Sequence, residues 1–134
     1  MGDRANIYLL DTEDGSAGMF VYTHWKGDSW PRELQQALDL GEARWGDPQY
    51  LARFIVTHVF KDLDGLTGGG LSTQIGDNEY PILCVDLLND KVGLCDPHID
   101  PGNRDNWTCV MSFAHYVAID DVDWEDFATH QIEA

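Results

Sequence analysis

Apolar positions recur along this chain with two different periods, and the switches between them mark the elements. Residues 6–10 (Asn6-Ile7-Tyr8-Leu9-Leu10) form a short β-prone run. Residues 11–18 are polar and glycine-rich, which predicts a hairpin loop, and residues 19–23 read as the partner strand. The first two strands are therefore expected to be antiparallel neighbours. The period then becomes helical. Ser29-Trp30-Pro31 is a helix start with Pro31 at the first helical position, and Leu34, Ala37 and Leu38 share one face before Gly41 stops the run. This predicts a helix over 31–40. A second helix is predicted over 48–60, with Asp47 as N-cap and Leu51, Phe54, Ile55 and Val59 as its buried stripe. Arg53 and Thr57 fall on a neighbouring face.

Residues 61–70 read as a loop, with Gly68-Gly69-Gly70 the natural hinge. An antiparallel meander is expected next: strands over 71–75, 81–87 and 91–95, with turns at 76–79 and at Asn89-Asp90. Pro81 suits a strand start, where a missing N–H does least harm. Residues 96–107 are a polar, proline-containing loop. Residues 109–112 read as a last strand, yet 112–117 also suits a helix capped by Ser112, and the short helix is favoured. The segment 120–134 is acidic, with Trp124 and Phe127 inside it. The expected fold is one α+β domain over 1–134. Its antiparallel sheet has about five strands, and two main helices pack on one face.

Charge changes this picture more than composition does. The 134 residues are 43% hydrophobic, ordinary for a globular domain, but 24 acidic side chains face only 8 basic ones, a net charge of −16. The excess is uneven. Residues 62–134 hold 15 acidic and 2 basic residues, residues 1–61 hold 9 and 6. The second half should repel phosphate backbones and draw in basic surfaces over about a Debye length. Direct binding to nucleic acid or to an anionic membrane is disfavoured. No apolar run approaches the roughly 20 residues that span a bilayer. Three cysteines, Cys84, Cys95 and Cys109, are an odd set, which points to reduced thiols packed as small hydrophobes in a cytoplasmic setting.

Two constellations carry the candidate chemistry. The first is acidic: Asp96, Asp100 and Asp105 in the polar loop, then Asp120, Asp121, Asp123, Trp124, Glu125 and Asp126. Such a run offers charge for steering and an aromatic anchor for affinity, and its spacing imitates phosphates. The second gathers Arg4, Asn6, Tyr22, His24, Trp25 and Arg53. Arginines at a strand start and on a helix face can clamp a carboxylate or phosphate, and the aromatics can stack on a ring. The same arginines have a structural use, pairing with Asp3, Asp47 or Asp86. The loop 96–105 is rich in oxygen ligands without EF-hand spacing, and Cys95 with His98 is half a zinc site without its other half. A triad of Ser72 or Thr73 with His24 and Asp86 would rest on residue types alone. No catalytic residue, metal or cofactor is expected.

Gly-Asp-Arg-Ala-Asn at 2–6, Tyr22-Thr23-His24-Trp25 with Gly27, Arg44-Trp45, Tyr50-Leu51-Ala52-Arg53 and Gly70-Leu71-Ser72 resemble a family of small uncharacterised proteins of phages, prophages and actinobacteria-like genomes. The likeness spans about residues 2–90, with Ser112-Phe113 a fainter echo. The very acidic second half and Gly68-Gly69-Gly70 depart from it. The family has no agreed activity, so the resemblance implies a context rather than a catalytic set: small acidic phage proteins often inhibit host defences. The expected function is a phage-type accessory protein that inhibits a host defence or nucleic-acid-binding protein, in the manner of an anti-CRISPR or a DNA mimic. Its acidic surface would meet a basic host protein in the host cytoplasm, with the oligomeric state left open. The alternative is a small-ligand or nucleotide-binding protein, or an enzyme, built on Arg4, Asn6, His24 and Arg53.

Overall fold

A computed structural model describes residues 2–16, 18–61, 68–76 and 78–129. Strands β1 (Ala5–Leu10) and β2 (Gly18–Thr23) pair antiparallel, with Ile7 opposite Val21 and Tyr8 opposite Phe20. Helix α1 (Trp30–Leu40) and helix α2 (Pro48–Val59) follow, close to the expected bounds. The Asp47 side chain caps α2 by accepting from the Tyr50 N–H. Ser29 does not cap α1; its hydroxyl donates to the Lys26 carbonyl instead.

The second half completes one sheet in the order β3-β2-β1-β4-β5-β6. β3 (Gly69–Ser72) lies outside β2, and β4 (Ile82–Asp86) lies on the other side of β1. The expected 71–75/81–87 hairpin is therefore replaced: two strands separate β3 from β4. Gly69 and Gly70 belong to β3 rather than to a loop, whereas the rest of the expected hinge, residues 62–67, lies outside the described residues. β1 and β4 run parallel, so the sheet is mixed, with six strands. A parallel neighbour needs a crossover of a dozen or more residues, and here it includes α1, α2 and β3.

β4 and β5 (Lys91–Cys95) form the expected hairpin. Asp90 in its turn has φ 56°, a left-handed conformation that Asp tolerates. β6 (Thr108–Ser112) follows, and Ser112 caps helix α3 (Phe113–Ala118) by accepting from the His115 N–H at 3.0 Å. The strand and helix expected as alternatives are thus consecutive. A last turn, α4 (Asp126–Thr129), closes the described chain.

Alternation along the strands gives the sheet two apolar faces. Ile7, Leu9, Val21, Leu83 and Val85 face the helices, where Trp30, Leu34 and Leu38 of α1 meet Leu51 and Ile55 of α2. Each such fully buried side chain contributes roughly 1.5–3 kcal/mol. Phe54, expected in this stripe, is only half-buried. Tyr8, Leu10, Phe20, Ile82, Cys84 and Cys95 face the other way and are covered by Trp107. A loop, not a helix, closes this second core.

Candidate functional site

The covering loop gathers the acidic residues. Between β5 and β6 the chain makes a series of turns in which a side-chain oxygen accepts from the backbone two residues on. Asp96 takes the His98 N–H at 2.8 Å, Asp100 the Gly102 N–H at 2.9 Å, and Asn103 the Asp105 N–H at 3.0 Å. The Trp107 indole N–H donates to the Pro101 carbonyl at 2.7 Å, fixing the loop on the sheet. The β1–β2 loop meets it edge on. Asp14 takes the Ser16 N–H at 2.9 Å, and that bonding holds its carboxyl below the ordinary range. Gly15 sits at φ +71°, and a Cβ on it would lie 1.9 Å from the Gly102 carbonyl oxygen. Only glycine permits this approach.

Arg104 pins the two loops together. Its Nε and Nη2 donate to the two Asp86 oxygens at 2.6 and 3.0 Å, a bidentate fork, while Nη2 and Nη1 also reach the Thr12 and Glu13 carbonyls at 2.8 and 3.0 Å. Asp86, at the end of β4, further accepts from Leu88 N, Asn89 N and Asn89 Nδ2. The side chains are 24% and 4% exposed. Burial pushes the Asp86 carboxyl up, but the bonds from Arg104 and Asn89 and the Arg104 charge outweigh it, and the carboxyl lies below its usual range. Arg104 is correspondingly raised, first by its bond to Asp86.

The result is a shallow cavity of about 410 Å³ lined by Glu13, Asp14, Asp100, Gly102, Asn103 and Arg104. Glu13, Asp14, Asp96, Asp100 and Asp105 are exposed on the two loops, while the arginine is turned to the interior pair. The face presents negative charge in a fixed array. Among the described residues no three His, Cys, Asp or Glu side chains converge as metal ligands. Cys84 and Cys95 pack in the second core; burial pushes the Cys84 thiol well up, and its hydrogen bond to Cys95 pulls that thiol down.

The other expected acidic group lies on the opposite side of the sheet, so the single acidic surface divides in two. Asp123 accepts from Asp126 N at 3.1 Å and Asp126 accepts from Asp123 N at 2.8 Å, a reciprocal cap on α4. Val122 and Phe127 are buried in the helix-side core. Trp124 stacks on Tyr80 with ring centres 4.8 Å apart, and its indole donates to the Gly27 carbonyl at 2.9 Å. It is an internal contact, not a free anchor. Asp120, Asp121 and Glu125 remain exposed on this strap.

The expected ligand cluster also separates. Arg4 binds Glu79 through backbone and side chain, not Asp3, Asp47 or Asp86. Asn6 donates to Asn78 at 3.1 Å, and Tyr22 and His24 share a hydrogen bond of 3.0 Å, with His24 edge-on to exposed Trp25. Asp3 accepts from the Tyr80 hydroxyl, which that bond raises well above its ordinary value. Gly27 has Asp3 O 2.6 Å and Tyr80 Cε2 2.7 Å from where a Cβ would stand. These groups latch the strand start to residues 78–80 and to the strap. Arg53 is elsewhere, beside Leu9 and Met19 toward the other end of β1, roughly 16 Å along the strand from Arg4. The suggested triad does not assemble: Ser72 is on edge strand β3, about 14 Å of sheet from Asp86 on β4, whose carboxylate is bound to Arg104.

Arg104 joins the two loops but is not among the site residues expected from the sequence. Its signal is there: it is one of 2 basic residues among 15 acids in 62–134. No known family model, curated protein or solved structure matches the chain.

Proposed function

We infer that this is a binding protein that receives a basic partner on the face built by residues 11–16 and 96–107, as a phage-type inhibitor of a host nucleic-acid-binding or defence protein would. One observation carries the reading. Arg104 and the Gly15–Gly102 contact hold exposed carboxylates at fixed spacing, so little ordering remains to be done on binding. A solvated acidic coat needs no such frame. The strap, on the other side of the sheet, carries fewer exposed carboxylates and uses its aromatic and two of its acids to close the fold.

The test is competition. A basic DNA-binding protein, immobilised, should capture the chain at low salt, lose it as salt is raised, and release it to duplex DNA added as competitor. Capture that duplex DNA leaves untouched would contradict occupation of a nucleic-acid cleft.

A further inference from the structure

Among the described residues the helix-side core has an opening whose lining is mainly apolar, unlike the acidic face. Between α2 and the sheet runs a groove of about 530 Å³, within the range of small-molecule sites. Its floor is apolar: Leu9, Met19, Val56, Leu71 and Leu87. Leu71, on edge strand β3, is 52% exposed, a large apolar side chain left without cover among the described residues. Arg53 and Thr57 line the same groove. They stand one turn apart on α2, so both donors point to one side of the helix.

Arg53 differs from most of the cations, as does Arg32, which also pairs with no carboxylate among the described residues. Arg4, Lys26, Arg44, Lys61 and Arg104 each pair with a carboxylate. Arg53 has no carboxylate partner among the described residues; its guanidinium lies over the Tyr50 ring, 5.7 Å from the centroid. It also borders a second, adjoining cavity of about 300 Å³ with Tyr50, Phe54 and Thr57. A cation oriented by an aromatic ring, beside a hydroxyl, at the mouth of an apolar groove is the arrangement that takes an anionic head on an apolar body. The surrounding half of the chain holds 9 acids against 6 bases, so the local field opposes an anion far less than the acidic half would. Asp11 lines the groove too, but no second polar group supports it as Thr57 supports Arg53.

We propose that the α2 groove binds an amphipathic carboxylate of medium chain length, its chain on Leu9, Met19, Val56, Leu71 and Leu87 and its head on Arg53 and Thr57. This site shares only Asp11 with the acidic face. Decanoate, decylammonium and decanol, titrated below their aggregation limits into the whole chain, separate the possibilities, with amide chemical-shift changes locating each. Decanoate should bind most tightly and shift residues 52–57 and 71–72. Arg53→Gln should weaken it about tenfold, a loss of one charge-assisted contact, without weakening decanol. Leu71→Trp, which fills the groove from an exposed edge position, should abolish all binding while the thermal melt is retained. Equal affinity of Arg53→Gln for decanoate, tighter binding of decylammonium, or no binding of decanoate to the wild type would each overturn the proposal.

Discussion

At the scale of single residues, Asp86 and Arg104 show how one ion pair serves a surface it does not itself present. A buried pair is a weak source of net stability, but removing one member strands the other. Arg104→Met should therefore cost about 2–3 kcal/mol, less than for a fully buried pair because the guanidinium is partly exposed. The pH dependence follows from the depressed Asp86 carboxyl. A lowered folded-state value means stability present above the unfolded value, near 4, and lost as pH falls through the folded one. Urea unfolding between pH 6 and about pH 3 should show wild type losing more stability than Asp86→Asn over that acid limb. Parallel losses would mean the pair is not coupled to folding. Arg104 was legible only as an oddity of charge. Its partner lies 18 positions away, and its other acceptors are backbone carbonyls at Thr12 and Glu13, which no side-chain pattern announces.

At the scale of elements, local signals were read well and non-local ones were not. Asp47-Pro48 with Leu51 and Ile55 defines α2, and Ser112 defines α3, because caps and helical stripes are short-range facts. The β1–β4 pairing joins Leu9 to Val85 across the chain, and nothing local encodes it. One trace existed: Ile82-Leu83-Cys84-Val85 is an unbroken apolar run buried on both faces, the mark of a central strand rather than an outer meander strand. The strap was misjudged for a related reason. Acid-aromatic alternation over 120–127 reads the same whether Trp124 is free or docked on Tyr80. Thermal and urea melts decide between them. Trp124→Phe, which keeps an aromatic ring, should cost about 1 kcal/mol for the lost Gly27 bond, and Trp124→Ala about 2–3 kcal/mol. Unchanged stability in Trp124→Ala would return that side chain to the role of a partner anchor.

At the scale of the whole molecule, the fold separates three regions, and it divides the acidic residues that the charge distribution had grouped together. The helix side of the sheet holds the main core and an apolar groove with Arg53 at its rim. The same side is closed by the acidic strap, latched to Gly27 and Tyr80. The opposite side carries a second core under a loop whose carboxylates are held in a fixed array. Among the described residues no helix is long and apolar enough to cross a membrane. The central claim is that position, not net charge, makes the acidic loops the working face. Two variants of equal charge test it most directly: Glu13→Gln/Asp100→Asn/Asp105→Asn on the loops, and Asp120→Asn/Asp121→Asn/Glu125→Gln on the strap. The measurement is their affinity for the same immobilised basic DNA-binding protein at low salt. The loop variant should bind about tenfold or more weakly than wild type, while the strap variant stays within about twofold. Equal losses in the two variants would contradict the claim and leave the charge as a coat.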